Sequence, residues 1–224
     1  MNIHAGHREH MRKRFLENGL SGFADHEVLE MLLYYSIPRA DTNPIAHALM
    51  NRFDSLNGVL TAPLEMLRQV DGVGEHTAIL IRLASLAVQK ARLEEAAREL
   101  ALSDPDKIGN YLLELFSQER NEAVYQLCLD LKGKLLVCKR LGEGGASTVN
   151  LDIRKLVENA LLSSASYVIL AHNHPSGVAM PSQDDRDATD RARAALAAID
   201  VILSDHIIVA DGDYISFAQS GYLG

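Results

Sequence analysis

The run Ser166-Tyr-Val-Ile-Leu-Ala171 leads straight into His172-Asn-His174-Pro175, and one loop later comes Ser182-Gln-Asp-Asp185. A short apolar, β-branched run of this kind makes a buried strand. Side chains alternate faces along an extended chain, so His172 and His174 leave the strand end on the same side. Two imidazoles on one side, with a carboxylate following, are the ligand types that zinc takes in an open catalytic site. The expectation is a zinc hydrolase.

That chemistry requires three protein ligands and one open position. His172, His174 and Asp185 supply the three, for one Zn2+ per chain. A general base, usually a Glu, must then move the proton of the activated water to the leaving group. Ser182, one helical turn before Asp185, is placed to hydrogen-bond a developing oxyanion. Pro175-Ser-Gly177 and Pro181 shape the loop that returns Asp185 to the histidines. Each piece has an ordinary explanation as well: Ser182-x-x-Asp185 is also a helix-capping pattern, and an isolated H-x-H is commonly structural. Their succession at a strand end, a turn and a helix start favours the metal.

Of the 224 residues, 47% are hydrophobic, enough for a real core, and five Phe, seven Tyr and no Trp make that core aliphatic. Net charge is -8, unfavourable for broad attraction to nucleic acid. Residues 1–100 carry 11 basic against 13 acidic side chains and residues 101–224 carry 11 against 17, so any DNA contact belongs to the first half. With only Cys128 and Cys138, and no apolar N-terminal segment resembling a signal peptide or membrane span, a cytoplasmic protein with reduced, buried thiols is expected.

Residues 1–18 are rich in His and Arg. His4, His7 and His10 share a helical face, though no carboxylate or Cys pattern completes a metal site there. A solvated basic helix explains them, with Arg8, Arg12, Lys13 and Arg14 as candidate anion contacts. Helices follow from Asp25 to before Pro38 and from Thr42-Asn-Pro44 onward. At Val70-Asp-Gly72-Val73-Gly74, two glycines flank a hydrophobe between helices, freeing backbone N–H groups where a phosphate can bind. The h-x-G-h-G-x-x-x-A pattern over 70–78 resembles the helix-hairpin-helix of nonspecific DNA-binding proteins, which makes Gly72, Val73 and Gly74 the candidate DNA contacts. Asp71 and Glu75 place acid beside them. A charged Ala-rich helix continues to Leu102, and Ser103-Asp-Pro105 breaks it.

The second half alternates strands and helices, an α/β pattern. The expected elements are a helix at 108–116, a period-two strand with Ala123, Tyr125, Leu127, Leu129 and Leu131 on one face, a partner strand at 134–141 and a Glu143-Gly-Gly-Ala-Ser-Thr loop. A helix from Asp152, strand 166–171, a helix after Asp185, strands at 201–204 and 205–210, and a final hairpin at Asp211-Gly212 complete it.

H-x-H-P…S-x-x-D is the JAMM (MPN-plus) signature. With H-N-H-P-S-G and the later Asp205-His-Ile-Ile-Val, nearly the whole chain resembles the RadC family, historically described as DNA repair proteins. The resemblance implies an all-α helix-hairpin-helix domain over residues 1–102, with the motif at 67–81. It implies a JAMM/MPN-like α/β domain over 103–224, a mixed sheet flanked by helices and cytidine-deaminase-like in architecture. It makes His172, His174 and Asp185 the zinc ligands and Ser182 the oxyanion-stabilising serine. Glu122, before strand 123–131, is the best match to the family's general base, with Glu143 second. The chain departs from the family at Asn150-Leu-Asp-Ile153, where a P-R-E-like stretch is common. The implied activity is cleavage of peptide or isopeptide bonds in a peptide or protein substrate. The alternative is a DNA-associated accessory factor in repair, recombination or mobile-element biology with a mainly structural zinc. A protein-interaction scaffold is a third reading. The residues set no oligomeric state.

Overall fold

The helices that open at Asp25, Asn43 and Leu56 begin where the sequence offers a cap or a proline. The computed structural model describes residues 3–143 and 151–223. Helices α1 (Ile3–Asn18), α2 (Asp25–Leu33), α3 (Asn43–Phe53), α4 (Leu56–Thr61), α5 (Leu64–Leu67) and α6 (Glu75–Glu99) follow one another. The Glu27 carboxylate accepts from the Ala24 N–H at 3.0 Å to open α2, and Pro44 sits in the first turn of α3. Ser55 caps α4 by accepting from the Gly58 N–H at 2.9 Å. Leu29, Leu33, Leu49, Leu67, Ala78 and Ile81 meet in one apolar core.

α1 departs from the solvated basic helix expected of it. Arg8 is buried and donates to the carbonyls of Ile37, Pro38 and Ala40 at 2.7, 2.8 and 2.6 Å, while its guanidinium lies over the Tyr34 ring. A buried guanidinium needs its donors satisfied, and three carbonyls of the segment between α2 and α3 do so. Arg14 pairs with Glu27 at 2.8 Å, and His7 Nε2 lies 3.0 Å from the buried Glu30. Arg8 and Arg14 are thus occupied inside the fold, and Arg12 and Lys13 keep the exposed side. The side chain of His4 lies outside the described residues.

The turn before α6 depends on one glycine. Gly72 has φ +82°, and a Cβ there would lie 2.7 Å from Cδ1 of Ile45; Gly74 has open space around it. Gly72→Ala is therefore expected to destabilise the protein by about 1–3 kcal/mol, read by urea unfolding. Gly74→Ala, an exposed change, should stay within about 0.5 kcal/mol. Only the second substitution tests the turn as a binding surface without disturbing the fold.

The chain divides into two compact units, Met1–Lys90 and Ala91–Gly224. The division falls within α6, ahead of the break at Ser103-Asp-Pro105 from which the second domain was expected to begin. In the second unit, α7 (Pro105–Phe116) is capped by Asp104, which accepts from the Lys107 N–H. Then come β1 (Ala123–Leu129), β2 (Leu135–Glu143), α8 (Ile153–Leu162), β3 (Tyr167–Asn173), α9 (Gln183–Ala197), β4 (Ile202–Ala210) and β5 (Asp213–Ser216). The sheet order is β2-β1-β3-β4-β5, and β3/β4 is its parallel pair. A mixed sheet with helices on both faces results. α8 and α9 cover one face through Leu156, Ala160, Ala188, Ala192 and Leu196. α7 covers the other through Ile108, Leu112 and Phe116.

Period-two patterning sorts the strand residues between these faces. Ala123, Leu127 and Leu129 lie under α7, with Tyr125 packed against them. Leu131 does not join them. β1 stops at Leu129, because the Asp130 carboxylate takes the N–H groups of Lys132 and Lys134 at 2.8 and 2.9 Å and turns the chain, leaving Leu131 77% exposed. The two cysteines fall on neighbouring strands one register step apart, Cys128 opposite Val137 and Cys138 opposite Leu127. Their side chains join opposite cores, and both thiols are free. Burial raises the pKa of each, Cys138 to about 11.

The strands expected at 201–204 and 205–210 are one strand, β4. Its register with β3 shifts between the pairs Val168–Leu203 and Ile169–Asp205, so Ser204 is an extra residue. The bulge reverses the facing of everything after it. Leu203 belongs to the α9 face, yet Ile207 and Val209 lie under α7, so His206 is turned toward α9. The loop expected after Glu143 and Asn150 of the divergent stretch lie outside the described residues. So does the Glu143 side chain. Among the described residues no helix is long and apolar enough to cross a membrane.

Candidate metal centre

β3 delivers its histidines where the sheet, the following loop and the start of α9 meet. His172 is fully buried, and its Nε2 lies 2.9 Å from His174 Nε2 and 3.1 Å from Asp185 Oδ1. His174 Nε2 lies 3.7 Å from Asp185 Oδ2. Glu122, just before β1, is half-buried, and its carboxylate and the two imidazoles place ligand atoms within 4.8 Å of one another. Glu122, 50 positions before His172, and Asp185, 13 after it, thus each reach the imidazole pair, and the group of ligand atoms within 4.8 Å holds Glu122 rather than Asp185.

The His174 ring is oriented by its other nitrogen. Nδ1 lies 2.9 Å from the carbonyl of Val178, to which only a protonated Nδ1 can donate, so Nε2 is left bare toward the site. Gly177, at φ +84°, closes the turn that brings Val178 there. Asp185 is 3% exposed. Burial pushes its carboxyl pKa up, but hydrogen bonds from His172 and Ser182 outweigh this and hold it well below the usual carboxylate range.

Ser182 sits at the N-cap of α9. Its hydroxyl donates to Asp185 Oδ2 at 2.6 Å and accepts from the Asp185 N–H at 3.1 Å, and its own N–H donates to Oδ2 at 2.8 Å. The capping box and the carboxylate's placement are therefore one set of bonds. A hydroxyl has a single proton. To stabilise an oxyanion, Ser182 must withdraw it from Asp185.

Three further polar residues support the site in roles not expected of them, although Asn173 lies in H-N-H-P-S-G and His206 in Asp205-His-Ile-Ile-Val. Asn173 faces away from the histidines; its Oδ1 accepts the Ala123 N–H at 2.7 Å and its Nδ2 donates to the Asn121 carbonyl at 3.1 Å. It grips the chain on both sides of Glu122. His206 is buried with its Nε2 2.8 Å from His172 Nδ1. Burial pushes the His206 pKa well below the ordinary histidine value. Thr189 on α9 contacts His206 Nδ1 at 2.6 Å. Asn173 and His206 interrupt apolar strand runs, whereas Thr189, among the charged residues of α9, carries no such signal.

The donor set suits a metal. Two imidazole nitrogens sharing a tetrahedral zinc would be separated by roughly 3.3 Å, not far from the spacing found here. Imidazole and carboxylate donors also suit other first-row metals, so the donors define a site rather than an element. Beside His174 and Asn173 a cleft of about 350 Å³ runs between Leu113 and Phe116 of α7 and Val209 and Ala210 of β4.

Residues 102–222 match the family model described as a RadC-like JAB domain, the class to which the mixed five-stranded sheet and its flanking helices conform. Similarity extends beyond that domain. A UPF0758 protein of Ruegeria pomeroyi is 35% identical over 217 residues, and one of Fusobacterium nucleatum is 32% identical over 225 residues; each alignment covers 97% of both chains. The chain belongs to the RadC family.

Proposed function

We propose that this protein is a zinc-dependent hydrolase of peptide or isopeptide bonds, with His172, His174 and Asp185 as ligands and Glu122 as general base. The convergence of the Glu122 carboxylate with the two imidazoles, their ligand atoms within 4.8 Å, carries this reading. Zinc held there supplies Lewis acidity, polarising a carbonyl and acidifying water. Glu122 takes a proton from the attacking water and returns it to the departing nitrogen. Ser182 transfers its hydrogen bond from Asp185 to the developing oxyanion. The apolar walls of the cleft beside His174 hold a substrate side chain and keep the reacting groups out of bulk water.

The test joins metal analysis to a cleavage assay. Protein purified without chelator should retain one zinc per chain, and cleavage of a peptide and isopeptide library, followed by mass spectrometry, should stop on chelation and return with zinc. Protein that retains no metal even when supplied with zinc contradicts the proposal.

The Arg68–Gly74 turn supports a second reading, a DNA-associated accessory factor. A shallow surface lined by residues 68–74 precedes the N-terminus of α6, a favourable setting for phosphate. Glu75 in the first turn and the net charge of -8 oppose it. Salt-dependent binding of branched or single-stranded DNA, weakened by Gly74→Ala, would favour this reading; no binding at low salt would count against it.

A further inference from the structure

We propose that His206 is a positioning residue for the metal ligand His172, fixing its orientation and tautomer through an imidazole-to-imidazole hydrogen bond. The inference rests on the metal reading above. His174 uses a backbone carbonyl to orient its ring, whereas the Nδ1 of His172 faces another imidazole at 2.8 Å. An imidazole accepts there only if its own proton is on the far nitrogen, so the role depends on what lies behind His206.

Thr189 lies there. Thr189 Oγ1 lies 2.6 Å from the carbonyl of Asp185 and 2.6 Å from His206 Nδ1. A carbonyl only accepts, so the single hydroxyl proton goes to Asp185 and Thr189 must receive from His206 Nδ1–H. His206 Nε2 is then bare and accepts the proton on His172 Nδ1. In the neutral ring that a metal requires, His172 Nε2 is then the bare nitrogen, on the side where His174 and Asp185 converge. Run in the opposite direction, the same contacts would put a proton on His172 Nε2 and block it as a ligand. The chain begins on the backbone of one proposed ligand, Asp185, and ends on the ring of another.

The fold is built to hold this arrangement. The extra residue at Ser204 turns His206 toward α9, and Thr189 lies one helical turn beyond Asp185. Phe217, fully buried, packs its ring 4.8 Å from that of His206. His206 is 3% exposed, which leaves the pair little access to competing water.

The test uses the full-length protein with zinc alone as the probe, in competition with a chromophoric chelator. His206→Phe should weaken zinc binding by about 10–100-fold, the usual effect of losing such an outer partner. His206→Gln, whose amide oxygen restores an acceptor for His172, should recover affinity to within about threefold of the parent. Unfolding of each metal-free protein monitors the fold. Long-range ¹H–¹⁵N correlation spectra of the metal-free parent should show His206 protonated on Nδ1. A parent-like zinc affinity in a folded His206→Phe protein overturns the inference. So does His206 carrying its proton on Nε2, or a folded His206→Gln protein that binds no better than the Phe variant. A parent that binds no zinc removes the metal centre itself and the positioning role with it, while the spectra still report the proton chain independently.

Discussion

Glu122→Gln should leave the protein folded and metal-loaded while lowering turnover by about 10²–10⁴-fold, the loss expected when a general acid–base is removed. The amide has nearly the shape of the carboxylate, and the chain around residue 122 is held by Asn173 rather than by the Glu122 side chain. What disappears is the capacity to accept a proton. Glu122 also lies close enough to the histidine nitrogens to be a ligand itself. Zinc affinity separates the roles: unchanged affinity with lost turnover identifies a base, whereas lost affinity identifies a ligand. The inactive, metal-loaded variant would also serve as a trap for substrates from a proteome.

Asp185→Ala and His174→Ala should each weaken zinc binding more than 100-fold, but with different consequences for folding. Asp185 Oδ2 receives both the N–H and the hydroxyl of Ser182, so its loss removes the carboxylate half of the capping box along with a ligand, while the N–H of residue 185 still donates to Ser182 Oγ. A cost of about 1–3 kcal/mol in metal-free stability is expected from leaving the two Ser182 donors without their acceptor. The His174 side chain has one backbone partner, the Val178 carbonyl, near the exposed loop, and its removal should cost less. Chelator competition and urea unfolding of the metal-free proteins measure the two quantities separately. Equal zinc affinity in Asp185→Ala and the parent would remove Asp185 from the ligand set.

Much of this architecture was legible in the residues because local rules and tertiary packing agree. The β3 run, the Pro44 helix start and the Ser182-x-x-Asp185 cap each specify their own geometry. The H-x-H spacing placed two imidazoles on one side of a strand before any fold was known. Other features were hidden for physical reasons. Arg8 reads as a surface cation until the segment between α2 and α3 passes beside it and presents three carbonyls. The bulge at Ser204 exists only in the register of β4 against β3, so the facing of His206 could not be obtained by counting along β4 alone. Asn173 sits inside the motif, but its role depends on pairing with a strand about 50 residues upstream. Leu131 continued a period-two pattern that the Asp130 turn interrupts. Long-range partners decide such cases, and a pattern within one segment does not contain them.

The most direct measurement is an anomalous difference map at the zinc edge from crystals of the zinc-loaded protein. The prediction is one peak per chain, within about 2.0–2.2 Å of His172 Nε2, His174 Nε2 and an Asp185 carboxylate oxygen. No peak among these three residues, or one seated at another part of the chain, would contradict it.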